Sequence, residues 1–297
     1  MSTAGPILVA GRSGQLAICL REHACDRDIV VVGRPDLNLG DPAPIDRQIA
    51  EIRPRAIVNA AAYTAVDKAE AEPEQAFAVN RDGAARLAAA AARLEVPFIH
   101  VSTDYVFDGS KLGAYREDDP TNPINVYGQS KLAGEESVRA AHGGAIILRT
   151  SWIYSPHGNN FVKTMLKMAE TRDHVRVVGD QRGMPTAAGD LARAVFEILD
   201  QVGGAGQQRA GIYHLAGSGE TTWHDFAAEV FAGLARRGRP VPALEAIPTA
   251  SFPTPARRPA NSCLDCTKIN RVFGVELPAW QSSLDACLAD LLVDRGA

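Results

Sequence analysis

The chain has 297 residues, which is enough for one large domain or two smaller ones with a substantial apolar core. Its net charge of −4 gives no overall attraction to nucleic acid or to anionic membrane, so an anionic ligand must be held by local basic groups and backbone amides. No apolar run approaches the roughly 18 residues of a membrane span, and the first ten residues lack the basic region of a signal peptide. We therefore expect a cytoplasmic protein that binds neither nucleic acid nor membrane.

The five cysteines are an odd number without the spacing of a disulfide framework. Cys263 and Cys266 form a CxxC pair, but no second CxxC or spaced histidine pair accompanies them to complete a zinc site. We expect reduced cysteines and no metal site.

Short β-branched runs alternate with longer alanine-rich segments through the first half of the chain. The runs at 7–10, 29–32, 56–59, 98–101 and 145–148 are nearly continuous in apolar residues, as parallel strands buried on both faces are. Helical patterns lie between them near 15–24, 44–53, 74–93 and 126–141. This alternation predicts an α/β fold with a doubly wound, Rossmann-like parallel sheet.

Beyond residue 150 the alternation loosens and proline-bearing loops separate helical patterns near 161–172, 188–201, 223–236 and 280–293. We expect residues 1–150 to form a dinucleotide-binding domain and residues 151–297 to form mainly a smaller C-terminal α/β substrate lobe. Two later runs, at 175–178 and 211–215, are candidates to return to the main sheet. Such a lobe would cover the carboxyl edge of the sheet, where open α/β folds bind ligands.

The first predicted strand leads into a glycine loop that contains Gly11, Ser13 and Gly14, and a helix follows. Glycines at this place let the backbone approach a pyrophosphate at the helix N-terminus, where free amides and the helix dipole favour anions. The spacing is G-x-x-G-x-x-A, with Ala17 as the third small residue. A purely structural turn is the alternative, but the position after the first strand of a βαβ series favours dinucleotide binding.

The second predicted strand ends at Gly33 and Arg34 with no acidic residue at its tip. An acid there would accept hydrogen bonds from the ribose of NAD, whereas arginine suits a 2′-phosphate. Arg12, inside the glycine loop, could assist. We therefore expect NADPH, with NADH possible, and two solvated arginines are the alternative.

The fourth predicted strand leads to Thr103, and Tyr127 and Lys131 follow on a predicted helix. A hydroxyl at the carboxyl end of a parallel strand faces the ligand crevice, and residues four apart project from one face of a helix. A hydroxyl, a phenol and an ammonium would then surround one carbonyl oxygen. The ammonium should lower the pKa of the phenol, which is near ~10 when free, by roughly 3 units for proton transfer near neutrality.

Taken together, these residues resemble the extended short-chain dehydrogenase/reductase superfamily and, more narrowly, its dTDP-4-dehydrorhamnose reductase family. The resemblance covers nearly the whole chain. The glycine loop and the Tyr-x-x-x-Lys pair are shared by the superfamily, whereas Thr-Asp-Tyr-Val-Phe and Arg-Thr-Ser-Trp are much narrower. The matching segments are 11–16, 59–70, 102–107, 125–135, 149–154, 159–161, 183–186, 222–225 and 258–262.

The resemblance implies reduction of the C4 ketone of dTDP-4-dehydro-β-L-rhamnose to dTDP-β-L-rhamnose, the last step of dTDP-L-rhamnose biosynthesis. Tyr127 would donate the proton, Lys131 would hold the nicotinamide ribose and lower the phenol pKa, and Thr103 would hydrogen-bond the reacting oxygen. Further cofactor contacts carried over from the family are Gly14, Gln15, Leu16, Asp36, Leu37, Ala62, Tyr63 and Thr64. Its substrate contacts carry over to Thr103, Asp104 and Trp152, and we add Asn160 and Arg258 for sugar and diphosphate.

The sequence departs from the family at the subunit interface. Some members dimerise through acidic residues that bind magnesium, and this chain has Cys19 and Gly189 at two of those places. We therefore expect a monomer or a dimer without magnesium.

Two other functions remain open on the sequence. An epimerase or dehydratase acting on a nucleotide sugar would share the fold, and Asp104 followed by Tyr105 leaves a dehydratase-like acid possible. A regulatory subunit that keeps the fold without catalysis, like that of methionine adenosyltransferase, is the second, although Tyr127, Lys131 and Thr103 are all present.

Overall fold

A computed structural model describes residues 5–41, 43–202 and 209–293 of the chain. The strands are β1 (Ile7–Ala10), β2 (Ile29–Val32), β3 (Ala56–Asn59), β4 (Phe98–Thr103), β5 (Ile146–Thr150), β6 (Ile153–Tyr154), β7 (His174–Val178), β8 (Arg182–Gly183), β9 (Thr186–Ala187), β10 (Gly211–His214), β11 (Thr221–Thr222) and β12 (Ala243–Ile247).

The helices are α1 (Gln15–Glu22), α2 (Ala43–Ile52), α3 (Val66–Ala69), α4 (Pro73–Phe77), α5 (Ala84–Arg93), α6 (Val126–Ala141), α7 (Phe161–Thr171), α8 (Ala188–Gln201), α9 (Trp223–Arg236), α10 (Thr267–Phe273) and α11 (Trp280–Leu292). A π-helical turn, Ala78–Gly83, joins α4 to α5, and short 3₁₀ turns occur at Asp104–Val106 and Thr249–Ser251. None of the described helices combines the length and apolar character needed to cross a membrane.

Six parallel strands form the main sheet in the order β10-β5-β4-β3-β1-β2, which confirms the predicted doubly wound Rossmann-like fold. Every residue of β1, β3 and β5 is buried, as their continuous apolar sequences predict. Side chains alternate between the two faces: Ile7 and Val9 pack in one core with α1 and α8, while Leu8 packs in the other with α2 and α5.

The register of the sheet brings the carboxyl ends of its strands to one edge. Ala10 at the end of β1 pairs with Val32 and Asn59, and Thr103 at the end of β4 pairs with Thr150. Residues that follow these positions therefore converge at the same edge, where ligands of this fold class bind.

The later strands divide between two sheets. As expected, β10 joins the main sheet beside β5. The expectation that the run at 175–178 also returns to it is wrong, because β7 pairs with β12 in a separate two-stranded sheet. Apolar Val175 and Val177 alternate with outward-facing residues and pack into a third core with α7, α9 and α11, so this strand lines the lobe. The division of the chain at residue 150 stays a prediction.

The sequence predicts one helix over 74–93, but the structure has a π-helical turn between α4 and α5. Asn80 in this turn is buried. Its Oδ1 accepts a hydrogen bond from the Tyr63 amide at 2.8 Å, and its Nδ2 donates to the Tyr63 carbonyl oxygen at 3.1 Å. Its Nδ2 also donates to Ser130 Oγ in α6 at 2.9 Å. The turn thus connects the segment after β3 to the helix that carries Tyr127 and Lys131.

Helix α6 lies so close to this turn that only glycine fits at position 134. A Cβ built there would lie 2.1 Å from the carbonyl oxygen of Asn80, which is backbone and cannot rotate away. A second close approach occurs at Gly128, whose Cβ would lie 2.2 Å from the Tyr105 carbonyl oxygen. The two contacts fix the height of α6 above the sheet.

We predict that Gly134→Ala lowers the free energy of unfolding by about 1–3 kcal/mol, the usual cost of overpacking, despite the better helix propensity of alanine. Gly143→Ala is the matched control, since no described heavy atom lies within 4 Å of a Cβ there, and it should change stability by less than about 0.5 kcal/mol. Urea denaturation measures both. Equal stability of the two variants would contradict the close packing of α6.

Candidate active site

Two adjoining cavities follow the carboxyl edge of the sheet and form one groove. The first, of about 440 Å³, contains Thr103, Tyr127 and Lys131, and the second, of about 790 Å³, extends from the glycine loop to Arg34. Both are lined by Ser13, Gly14, Ala60, Ala61, Ala62 and Thr64. The groove is therefore continuous from the predicted catalytic residues to the end of β2.

The glycine loop is shaped for close approach of a ligand to backbone. Gly11 has a φ of 120°, which other residues rarely adopt, and a Cβ there would lie 3.2 Å from the Ala61 amide nitrogen. Gly14 precedes α1, and no described side chain caps the amides of its first turn. These amides and the helix dipole therefore remain available to an anion in the groove.

Of the residues predicted as cofactor contacts, Arg34, Leu37 and Tyr63 line the second cavity at the far end of the groove. Asp36 is not among the described lining residues, because its carboxylate faces outward and forms an ion pair with Arg12. Arg12 itself lines the cavity beside Arg34. The guanidinium groups of Arg12 and Arg34 therefore both lie at this end of the cavity.

Tyr127 and Thr103 reach the first cavity from two different elements. Tyr127 lies in the first turn of α6, which begins after Asn125, whose side chain accepts a hydrogen bond from the Gly128 amide at 2.7 Å. Thr103 ends β4, and its Oγ1 donates to Asp104 Oδ1 at 2.8 Å. The predicted pair of hydroxyls therefore lines one cavity at the sheet edge.

The expected lowering of the Tyr127 pKa is wrong for the ligand-free protein. Burial raises the pKa of Tyr127 to about 12, and the negative charge of Asp104 acts in the same direction. Contact with Thr103 only partly offsets this increase. The ammonium of Lys131 donates to Val101, and no hydrogen bond joins it to the Tyr127 phenol among the described residues.

Lys131 is almost fully buried, with 2% of its surface exposed, yet it lines the same cavity as Tyr127. Its Nζ donates to the carbonyl oxygen of Val101 at 2.7 Å. Burial lowers the pKa of Lys131 to about 8, and Glu135, one turn along α6, partly counteracts this effect.

His100 lies beneath Lys131, and its neighbours determine its tautomer. Asn59 Oδ1 accepts from the Ala61 amide at 3.2 Å, so Asn59 Nδ2 donates to His100 Nδ1 at 3.0 Å. His100 Nε2 then carries the proton, so its 3.5 Å contact with Lys131 Nζ brings two donors together and is not a hydrogen bond. Complete burial keeps the His100 pKa well below its usual range, so the ring beside the ammonium is neutral.

Asp104 is 2% exposed and lines the cavity, and burial raises its pKa to about 6. Its contacts with Ser262 and Thr103 act in the opposite direction. Oδ2 has no partner within hydrogen-bonding distance among the described residues. A buried acceptor of this kind is suited to a hydroxyl group of a ligand.

Trp152 also lines the cavity. Its ring stacks on Trp223 of α9 with centroids 3.5 Å apart and planes within 9°. Gly183 allows this position, because a Cβ there would lie 2.3 Å from the indole. The stacked pair joins the edge of the main sheet to the C-terminal lobe.

Neither Asn160 nor Arg258 is among the described residues that line the two cavities. Asn160 caps α7 by accepting from the Lys163 amide at 3.1 Å, and its Nδ2 donates to Gln15 Oε1 at 2.9 Å. Arg258 forms a bidentate ion pair with Asp67, at 2.6 and 2.7 Å. The polar groups of both proposed substrate contacts are therefore engaged by the protein itself.

Several lining residues escaped the sequence analysis, including Ser102, Thr150, Ser151, Gly158 and Asn159. Thr150 is 3% exposed, and its Oγ1 has no hydrogen-bond partner in the part of the chain that the structure describes. The rule that identified Thr103, a hydroxyl at the carboxyl end of a buried parallel strand, applies equally to Thr150 at the end of β5.

Comparison with known proteins agrees with this geometry. The model of the RmlD substrate binding domain matches residues 5–293. A dTDP-4-dehydrorhamnose reductase of Sinorhizobium fredii is 48% identical over 291 residues, which cover 97% of this chain and 98% of that protein.

Two solved structures are also closely similar. A dTDP-4-dehydrorhamnose reductase of Clostridium acetobutylicum has a TM-score of 0.89 and 35% identity, covering 96% of this chain and 99% of that one. The enzyme of Bacillus anthracis, solved in complex with NADP, has a TM-score of 0.89 and 32% identity, covering 97% and 100%. With its glycine-loop groove and Tyr-Lys helix, this chain belongs to the dTDP-4-dehydrorhamnose reductase family.

Proposed function

We propose that the protein reduces the C4 ketone of dTDP-4-dehydro-β-L-rhamnose to dTDP-β-L-rhamnose with NADPH, as the last step of dTDP-L-rhamnose biosynthesis. The observation that carries this proposal is the cavity that holds Thr103, Tyr127 and Lys131 and continues into the glycine-loop groove. The relatives named above support the substrate and the cofactor.

The groove fits a dinucleotide. Gly11 leaves space where a Cβ would meet the backbone of Ala61, and the uncapped amides after Gly14 provide donors for a pyrophosphate. One proton of the Lys131 ammonium is donated to the Val101 carbonyl oxygen, and the others would hydrogen-bond the hydroxyls of the nicotinamide ribose. The bound nicotinamide supplies the hydride, and the protein supplies position and a proton.

Tyr127 is the proton donor in this mechanism. The carbonyl carbon gains a hydride and the carbonyl oxygen gains the phenol proton, so one C–H and one O–H bond form and the tyrosinate later recovers a proton from solvent. A pKa raised by burial keeps Tyr127 protonated before turnover. The positive charge of Lys131 and the hydroxyl of Thr103 would stabilise the developing negative charge.

The sugar would lie between Tyr127 and Trp152. The stacked indoles of Trp152 and Trp223 provide an apolar wall, and the unpaired oxygen of Asp104 provides an acceptor for a sugar hydroxyl. Thr150 offers a second unpaired group on the same side. We infer that these groups orient the ketone towards the phenol.

For the cofactor we favour NADPH because Arg12 and Arg34 line the end of the groove where the adenine ribose would lie. A guanidinium can bind a 2′-phosphate with two parallel hydrogen bonds. Asp36 neutralises part of this charge through its ion pair with Arg12, so Arg34 would bear more of the preference. We further propose a cytoplasmic location and a monomer or a dimer without bridging magnesium.

Stoichiometry distinguishes the proposed reductase from an epimerase or dehydratase of the same fold. Purified protein should oxidise NADPH in step with consumption of dTDP-4-dehydrorhamnose, as followed by the absorbance of the reduced nicotinamide. Turnover of the sugar without net oxidation would contradict the reductase, and lack of turnover with either NADPH or NADH would contradict the substrate.

We predict that Tyr127→Phe lowers kcat by at least ~100-fold while the Kd for NADPH stays within about threefold, because the hydroxyl serves as the acid and not as an anchor. Tyr105→Phe is the matched control. Its ring lies 5.8 Å from that of Tyr127 but is not among the described lining residues, so its kcat should be close to wild type. A Tyr127→Phe enzyme with a near wild-type rate would refute the assignment.

We predict that Lys131→Met stabilises the ligand-free protein near neutral pH by up to about 3 kcal/mol, because it removes a buried charge. Below pH 8 both folded and unfolded wild-type protein carry the lysine proton, so the burial penalty is complete. Between the folded pKa of about 8 and the unfolded value of 10.5, the unfolded chain binds more protons than the folded protein. The stability of the wild type therefore increases with pH in this range, and its difference from the variant becomes smaller.

Urea denaturation from pH 7 to 10 measures this difference. The thiols of the unfolded chain also titrate there, but they are common to both proteins and cancel in the comparison. Lys167→Met, at an exposed lysine, should show no pH-dependent difference. A constant difference between Lys131→Met and wild type across this range would contradict the burial of a charged amine.

We predict that Arg34→Ala lowers kcat/KM for NADPH by roughly 10–100-fold, the loss of a charge-assisted hydrogen bond to phosphate, and changes kcat/KM for NADH by less than about threefold. Arg47→Ala, an exposed arginine on α2 outside both cavities, is the control and should leave both values unchanged. Equal losses with both cofactors would show that Arg34 does not select the 2′-phosphate.

A further inference from the structure

Away from the groove, three potential metal ligands meet where α1 faces the C-terminal lobe. Cys19 and Glu22 are three residues apart on one face of α1, and His157 lies in the loop after β6. The Sγ, carboxylate and imidazole atoms all lie within 4.8 Å of one another. None of the three residues belongs to the proposed catalytic groups.

The spacing of these atoms suits a tetrahedral ion. His157 Nε2 and Glu22 Oε2 are 2.8 Å apart. Ligands at roughly 2.0–2.3 Å from a tetrahedral zinc lie roughly 3.2–3.7 Å from each other, so small rotations of two side chains would admit the ion. Thiolate, imidazole and carboxylate together favour zinc over magnesium or calcium, which prefer oxygen alone.

The backbone already holds His157 in place for such a role. Its amide donates to Ser155 Oγ at 3.1 Å, and its carbonyl oxygen accepts from Asn160 Nδ2 at 3.2 Å. Cys19 is 3% exposed and fixed on a buried face of α1. Cys19 is therefore held rigidly, whereas the partly exposed side chains of Glu22 and His157 can rotate towards an ion.

The cluster opens to a cavity of about 1090 Å³ at the junction of α1, α8 and α11. The Glu22 and His157 side chains are 46% and 29% exposed, so an ion can enter and keep a water as fourth ligand. Two of the cations that line this cavity have other partners: Arg193 pairs with Asp190, and Lys163 donates to the Pro156 carbonyl at 3.1 Å.

We propose that Cys19, Glu22 and His157 bind one Zn²⁺ ion, with solvent as the fourth ligand. The ion would join α1 to the loop that carries Ser155 and Asn160. Both of those residues bond Gln15 Oε1, at 2.9 Å each, at the first residue of α1 beside the cofactor groove. The site would thus stabilise the contact between the glycine-loop helix and the lobe, independently of hydride transfer.

Coordination must release one proton. The S–H bond of Cys19 breaks as the Zn–S bond forms, and the proton passes to solvent. Glu22 would bind through its carboxylate, and His157 would bind through Nε2 with its proton on Nδ1. Because the thiol must lose its proton before it binds the ion, zinc affinity should increase with pH.

Cobalt titration of the chelator-treated full chain tests the site without any assay of activity. Because Cys25 is exposed and could bind metal nonspecifically, the Cys25→Ser protein serves as the reference. We expect one equivalent of Co²⁺ to give a thiolate charge-transfer band and the intense visible bands of tetrahedral cobalt, and Zn²⁺ to abolish both. Only weak octahedral bands, or no binding, would overturn the proposal.

Ligand variants in the same background identify the residues. His157→Asn and Cys19→Ala should each weaken Zn²⁺ binding by at least ~100-fold, since even residues that only orient ligands cost 10–100-fold. Zinc should also raise the thermal midpoint of the reference protein but not of these variants. Unchanged zinc affinity in either variant would refute its residue as a ligand.

The matched control is His174→Asn. His174 forms a similar exposed pair with Glu245, at 3.0 Å, and it lies outside the described potential metal cluster. This variant should bind Co²⁺ and Zn²⁺ like the reference. Equal losses in His157→Asn and His174→Asn would show that zinc binds surface histidines generally, and the proposed site would be excluded.

Discussion

A charged amine held under the carboxyl edge of the sheet is the constraint on which the active site depends. Burying Lys131 is unfavourable, and the single carbonyl of Val101 at 2.7 Å compensates only partly, as the lowered pKa shows. The amine can stay there only because α6 is fixed at close range by Gly128 and Gly134. Lys131 also lines the cavity, where the ribose of a dinucleotide would accept its remaining protons.

One face of α6 accordingly carries three groups at intervals of four residues, namely Tyr127, Lys131 and Glu135. Tyr127 and Lys131 line the cavity, whereas the carboxylate of Glu135 is buried in the core. Glu135 pairs with Arg149 of β5 at 2.7 Å and accepts from Ser102 of β4 at 2.5 Å. These contacts of Glu135 connect α6 to the two strands that end at Thr103 and Thr150.

Much of this could be predicted from the sequence because it depends on local pattern. Continuous apolar runs predicted the strands, and the edge rule predicted where Thr103 would lie. The sequence could not show that β7 pairs with β12, since an apolar run of five residues fits either sheet. The predicted lowering of the Tyr127 pKa was wrong. A spacing of four residues shows that Tyr127 and Lys131 share one face of a helix, but it does not show that the phenol is buried.

Contacts between distant segments were also beyond sequence reasoning. Asn160 was proposed for the sugar, yet its amide caps α7 and bonds Gln15, 145 residues away. His157 and Glu22, 135 residues apart, follow no metal-binding spacing and become neighbours only when the lobe folds against α1. Such pairs are set by the packing of the two halves of the chain.

The proposed reaction is hydride transfer to a sugar ketone, with the proton supplied by Tyr127 of α6. The most direct test is a reaction of dTDP-4-dehydrorhamnose with NADPH that carries deuterium at the transferred position, followed by mass and NMR analysis of the product. We expect one deuterium per product molecule, bonded to C4 of the sugar, and one NADP⁺ formed with it. A product without deuterium at C4, formed without net oxidation of NADPH, would contradict the account.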